Sequence, residues 1–223
     1  MQNKILVIAS HPDDEVLGCG GTLNKHIQNG DAVKVVTMTD GVGARNGNKK
    51  DKEERSNAFY QSLSVLGINE FKKFDFPDNQ MDTIPMIEIV KVIEEIIMCF
   101  QPSRIYTHHP GDLNIDHRIT FNSVITACRP VPGCNVKEIL CYEVLSSTEW
   151  AFGHNQPFVP NFFIDISKTF DAKITAFSLF TNECMRQPHS RSLSNITNLA
   201  RYRGNTVGVD YAEAFTVCRF MES

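Results

Sequence analysis

A chain of 223 residues suits one domain, 1–223, and is long enough to bury most of the surface that its unfolded form exposes. Hydrophobic residues at 42% and charged residues at 22% exclude a disordered, collagenous or coiled-coil protein. With 22 basic against 26 acidic residues, a net charge of −4, no overall positive field exists to hold a polyanion, which argues against nucleic-acid binding.

The first elements alternate in type. Ile5–Ala9 is a continuous apolar run, as in a strand buried on both faces. Val16–Asn29 follows as a helix stopped by Gly30. Ala32–Met38 is a second strand and 40–50 a loop; Asp51–Leu66 is the next helix, ended by Gly67. Phe71–Phe76 is a third strand. Thr83 can cap a helix with Pro85 in its first turn, and Met86, Val90, Ile93, Ile97 and Phe100 mark that helix's buried face. Arg104–Thr107 is a fourth strand, His117–Cys128 a helix and Glu138–Leu145 a fifth strand. The last third reads as a short strand Phe162–Ile166, helices Lys168–Cys184 and Ser192–Arg201, and an edge strand Ala214–Phe220. Repeated β-α-β units predict an α/β, Rossmann-like three-layer fold: a mostly parallel central sheet with helices on both faces.

No apolar run approaches the ~18 residues of a membrane span. Ile5–Ala9 is too short for a secretory signal and runs directly into a charged motif, as a buried first strand would. The seven cysteines are odd in number and show no Cys-x-x-Cys spacing, which reads as reduced thiols of a cytoplasmic protein.

Polar clusters follow the strands: His11-Pro12-Asp13-Asp14-Glu15, Thr39-Asp40-Gly41, the segment His108 to His117, and Ser146 to Trp150. All fall at carboxyl ends of parallel strands, where open α/β sheets bind ligands. In the first cluster, helix capping accounts for one aspartate or both, but not for a histidine two residues earlier. Imidazole with carboxylate at a strand end suits a divalent metal, zinc above all, though Fe2+ or Co2+ fits the same donors. A catalytic zinc takes three protein ligands and keeps a position for water. His11 and Asp14 can supply two and His117 the third, which leaves Asp13 as a carboxylate within reach of that water. Asp116 is either a supporting partner of His117 or a neighbouring polar group, or a helix cap.

Ala9-Ser10-His11-Pro12-Asp13-Asp14-Glu15, Gly18, Gly20-Gly21, His108-His109-Pro110 and Asp116-His117-Arg118 together resemble the PIG-L/LmbE-type deacetylases. Thr39-Asp40-Gly41, Arg55, Phe76-Pro77-Asp78 and Tyr211 to Phe215 add to the likeness. Those enzymes remove an acetyl group from N-acetylglucosamine-containing substrates. The resemblance implies a zinc-dependent N-deacetylase with His11, Asp14 and His117 as ligands and Asp13 as general base; Arg55 and Asp78 fall where members hold the substrate. One departure concerns catalysis. Several members carry a histidine three residues before the last ligand, where this chain has Asn114. An amide can donate to an oxyanion but cannot supply a proton, so His108 or His109 is a candidate for that role.

Trp150 is a candidate for stacking on a sugar, and equally for a half-buried structural residue. Arg186, His189 and Arg191 are candidates for meeting an anionic part of the substrate, with a plain surface loop the favoured reading. The dinucleotide fingerprint fails at Gly18-Cys19-Gly20-Gly21, because Leu23 stands where its third glycine belongs; these glycines instead suit close packing of helix on sheet. The implied partner is a small amino-sugar conjugate, with a homo-oligomer left open. Competing readings are a metal-dependent amidase for a non-sugar acyl amide and a carbohydrate-binding protein without turnover. The carrier of the sugar is not legible.

Overall fold

Strand β1 (Lys4–Ala9) is buried from Ile5 onward, and its side chains alternate between two cores. Ile5 and Val7 enter one core, Leu6 and Ile8 the other, as the two-residue period of a strand requires. The computed structural model describes residues 2–45, 48–153 and 156–222. After β1 come α1 (Asp14–Gln28), β2 (Ala32–Thr39), α2 (Lys49–Leu66), β3 (Glu70–Phe76), α3 (Met86–Phe100), β4 (Arg104–His108), α4 (Ile115–Ala127) and β5 (Glu138–Tyr142). The chain closes with β6 (Phe162–Asp165), α5 (Phe170–Ser178), α6 (Leu193–Val207) and β7 (Ala212–Phe220).

The seven strands form one sheet ordered β3-β2-β1-β4-β5-β7-β6. The first five pair in parallel; β7 runs antiparallel to both β5 and β6. Val16, Phe59, Leu63 and Phe177 of α1, α2 and α5 cover one face with Ile5 and Val7. Ile93, Ile97 and Val124 of α3 and α4 cover the other with Leu6 and Ile8. The order reverses between β1 and β4, so a crevice opens beyond their carboxyl ends. Among the described residues no helix is long and apolar enough to cross a membrane.

Four expectations are corrected. β7 is interior, with Ala212–Phe215 buried throughout, and β6 takes the edge. The helix expected over Lys168–Cys184 ends at Ser178, and the chain beyond it folds back so that buried Phe180 and Glu183 face the protein. Helix α6 runs on past Arg201 to a left-handed cap at Gly208. Thr83 lies in a separate turn, Met81–Thr83, and α3 begins only after Pro85. The tip of the predicted 40–50 loop, Asn46 and Gly47, lies outside the described residues.

The glycines of α1 bring that helix onto the sheet. A Cβ on Gly18 would lie 2.2 Å from the Tyr142 ring of β5, and one on Gly21 would lie 2.8 Å from Ile166. The helix breaks at Cys19, where φ is −147°. Glu213 of β7 compensates the break: its carboxylate accepts the N–H groups of Gly21 at 3.0 Å and Thr22 at 2.7 Å, with Lys173 paired to it. A buried charge is thus matched by three donors.

Candidate active site

β1 delivers the first ligand candidates. Pro12 turns the chain, and Asp13 stands at the head of α1 with φ of +119°, in the left-handed region that strains any residue but glycine. Its side chain makes no capping bond. The turn is held by the Asp13 N–H donating to Glu15 Oε2 at 3.0 Å and by the His11 N–H donating to Asp14 Oδ2 at 2.8 Å. Pure capping does not account for this arrangement: Asp13 is turned away from the helix, and Asp14 reaches back towards His11.

Three ligand atoms form a small triangle. His11 Nδ1 is 3.1 Å from Asp14 Oδ2 and 3.2 Å from His117 Nε2, and His117 Nε2 is 3.3 Å from Asp14 Oδ2. All three residues are buried. Tetrahedral zinc with ligands at about 2.0–2.1 Å separates neighbouring donors by roughly 3.3 Å, so these donors fit such an ion. Asp14 Oδ1 is buried without a hydrogen-bond partner among the described residues. Burial works against charge on His117, but Asp14 and Asp112 outweigh it and push the imidazole up to about 9. Burial likewise opposes ionisation of Asp14, yet His117, His11 and His108 hold it well below the usual carboxylate range. The cluster draws a cation.

Carboxylates orient both imidazoles from behind. Asp78 Oδ1 and Asp116 Oδ2 lie 3.1 and 3.2 Å from His11 Nε2, which puts the ring proton there and leaves Nδ1 with a lone pair for a metal. Asp116 also accepts the N–H groups of Asn79 and Met81 at 2.7 and 3.1 Å. It therefore serves His11 rather than His117, and Asn114, not Asp116, caps α4. The partner of His117 is Asp112, 3.1 Å from Nδ1 and itself held by Thr148 Oγ1 at 2.6 Å and by Ser147.

Beside the triangle lies a cavity of about 270 Å³, lined among others by His11, Asp13, Arg55, Asp78, Asn114, His117 and Trp150. Asp13 Oδ2 takes Arg55 at 3.0 Å and Arg191 at 3.2 Å; Glu183 joins both guanidiniums from behind. Asp13 Oδ1 has no hydrogen-bond partner among the described residues. Burial pushes the Asp13 carboxyl up to about 6, against the pull of the two arginines. A carboxylate with one oxygen clamped and the other spare is suited to accept a proton.

Residues 6–128 match the family model described as PIG-L, GlcNAc-PI de-N-acetylase. The chain belongs to the PIG-L family. Its relatives include an uncharacterized deacetylase, YaiS, of Escherichia coli, 33% identical over 148 residues, which are 64% of this chain and 75% of that one. A diacetylchitobiose deacetylase of Thermococcus kodakarensis is 28% identical over 222 residues, 94% of this chain and 81% of that one. Among solved structures, the N,N'-diacetylchitobiose deacetylase of Pyrococcus horikoshii aligns with a TM-score of 0.77 at 22% identity, covering 97% of this chain and 84% of that one. The same fold also carries a 4-carboxy-2-hydroxymuconate hydratase, GalB of Pseudomonas putida, with a TM-score of 0.76 at 20% identity over 100% of this chain and 99% of that one. The fold alone therefore does not fix the reaction.

Within this PIG-L chain, two candidates lie outside the cavity. His108 is fully buried, accepts the Ser10 N–H at Nε2 (2.8 Å) and stacks flat on His117 with centroids 3.9 Å apart. Burial and the neighbouring His117 hold its pKa well below the ordinary imidazole value. His109 is spent on the Gln156 carbonyl, 3.0 Å away, with Phe158 edge-on. Neither is placed to meet a substrate. Asn114 does line the cavity, but its Oδ1 caps α4 through the Asp116 N–H and its Nδ2 donates to Asn79 at 2.9 Å. Arg55 is already engaged by Asp13 and Glu183. The residues that sequence reasoning missed are Asp112, Glu183 and Arg191. Asp112 was visible within the histidine cluster; Arg191 read as surface because nothing local ties it to Asp13.

Proposed function

We propose that this protein is a zinc-dependent N-deacetylase that removes the acetyl group from an N-acetylglucosamine-type conjugate, releasing acetate and a free amine. One observation carries the reading: His11 and His117 of the ligand triangle line the same cavity as Asp13, whose Oδ1 is spare. The named relatives support the reaction class.

His11, Asp14 and His117 would hold the ion, which would supply Lewis acidity, lowering the pKa of a bound water towards ~7 and polarising the acyl oxygen. Asp13 Oδ1 takes the proton of the attacking water. Arg55 and Arg191, both on Oδ2, fix the carboxylate's orientation and favour its charged form. As the water oxygen bonds to the amide carbon and the C–N bond breaks, the proton held by Asp13 passes to the leaving nitrogen. Asp112, Asp78 and Asp116 keep the two imidazoles in ligand orientation throughout. Asp78 thus acts on His11, beyond any contact with substrate.

The test is acetate release from N-acetylglucosamine conjugates by chelated and by zinc-, iron- or cobalt-reloaded enzyme, with a simple acyl amide alongside. Activity lost on chelation and restored by one equivalent of metal is the expected result. Full activity in metal-free protein refutes the reading.

A further inference from the structure

At the mouth of the same cavity, two rings face each other. Trp150 and His189 meet edge to face with centroids 5.6 Å apart and planes at 77°, and both line the cavity. The ligand triangle below them is buried, whereas Trp150 is 38% exposed. A substrate whose acetyl group reaches the triangle therefore presents the rest of its body to these two rings. His189 Nδ1 accepts the Arg191 N–H at 3.1 Å, which places the ring proton on Nε2. His189 thus offers one N–H donor beside an aromatic side chain.

Both rings are tied to the reacting groups. The turn that carries Trp150 (Thr148–Trp150) is fastened by Thr148 Oγ1 to Asp112, the carboxylate that orients His117. The loop that carries His189 is fastened through Arg191 to Asp13 and Glu183. Turns around the ring hold it further: the His189 N–H donates to the Arg186 carbonyl at 3.1 Å, and the Ser192 N–H to the His189 carbonyl at 3.0 Å. The two rings are thus built in register with the base and the ligands rather than draped over them.

We propose that Trp150 and His189 form the wall that recognises the pyranose ring, Trp150 against its C–H face and His189 by donating Nε2–H to a ring hydroxyl. The pair sets the preference for a sugar over a simple acyl amide. An aromatic surface with a polar donor beside it matches the two faces of a pyranose, one apolar and one hydroxylated. The proposal rests on the amino-sugar reading above, but its test does not depend on turnover.

Trp150 is the only tryptophan in the chain, so intrinsic emission reports this wall alone. The full-length, metal-loaded protein is titrated with N-acetylglucosamine and with glucosamine, and acetamide serves as the control. The sugars are expected to shift or quench the emission saturably, and acetamide is expected to do neither. His189→Leu removes the Nε2 donor and should weaken the sugar's Kd about 3- to 10-fold, with metal content unchanged. In kinetics, His189→Leu and Trp150→Ala should raise KM for the sugar substrate more than they lower kcat. Emission that ignores both sugars overturns the wall even if acetate is released from them. Sugar binding that survives unweakened in His189→Leu, read by emission, and in Trp150→Ala, read by titration calorimetry, overturns it as well. A saturable emission change without acetate release from any N-acetylglucosamine conjugate instead leaves the wall standing and removes the deacetylase reading.

Discussion

Arg191 Nη1 lies 3.2 Å from Asp13 Oδ2, although the two residues stand 178 positions apart in the chain. The contact joins the loop after α5 to the turn after β1, and Glu183 closes it from behind at 2.8 Å. A surface loop thereby becomes part of the environment of the base. Burial and the neighbouring charges of Asp14 and Glu183 drive the Asp13 carboxyl up to about 6, while Arg55 and Arg191 restrain it. Arg191→Met removes one restraint, so the Asp13 pKa rises. A base acts in its ionised form, so activity is lost as pH falls through that pKa, and the acid limb of kcat/KM moves to higher pH, by roughly one unit. A bound cation lowers the limb in wild type and variant alike and leaves the difference. An acid limb that does not move shows that Arg191 has no hold on the base.

Arg55 is committed to two carboxylates of the protein itself. It is 9% exposed and is paired with both Asp13 and Glu183. Arg55→Ala leaves two buried carboxylates with Arg191 as their shared cation, and breaking buried pairs costs about 3 kcal/mol or more. The expected result is a lower melting temperature and a lower kcat together, with metal content kept. A pure rise in KM at unchanged stability would return Arg55 to the role of a substrate clamp.

Two glycines of α1 give a paired test of packing. Gly18→Ala drives a methyl to 2.2 Å from the fully buried Tyr142 ring, whereas Gly20→Ala meets Val16 at 3.3 Å. Overpacking a core typically costs about 1–3 kcal/mol, and each kcal/mol lowers the melting temperature of a chain this size by about 2–4 °C. Gly18→Ala should melt several degrees lower. Gly20→Ala should stay close to wild type, helped by alanine's better helix propensity. Equal melting temperatures would mean that the helix does not press on β5 at Gly18.

These residues also show what was legible in the sequence and why. The apolar run of β1 and the alternation of strands with helices after it announced a parallel sheet, and His11-Pro12-Asp13-Asp14 follows β1 directly. Local chemistry of that kind survives translation into sequence. Asp112 and Asp116 were both visible as carboxylates near His117, but which carboxylate holds which imidazole depends on how α4 is rolled against β1. Asp112 faces His117, and Asp116 faces His11. The edge position given to β7 failed for a related reason: strand order among antiparallel partners is set by long-range pairing that periodicity does not encode. The same limit hid Arg191, whose partner Asp13 follows β1, and Glu183, whose partner Arg55 lies on α2.

Asp13 and Asp14 are neighbours with opposite surroundings, which makes them the sharpest test of the site. Asp14 Oδ2 lies 3.1–3.3 Å from the facing nitrogens of His11 and His117, and those imidazoles hold it ionised. Asp13 Oδ2 meets only the arginines among these groups, and its Oδ1 is spare. Asp14→Ala should therefore lose metal as well as activity. Asp13→Asn keeps the side chain's volume and should leave metal and fold in place, although its amide must now face two guanidiniums. General base catalysis is typically worth ~10²–10⁴-fold, so kcat should fall by about that much, and the acid limb that reports the base should disappear. Metal content by elemental analysis and the two pH profiles decide the matter. If Asp13→Asn turns over near the wild-type rate, or sheds its metal while Asp14→Ala keeps it, the two roles have been assigned to the wrong residues.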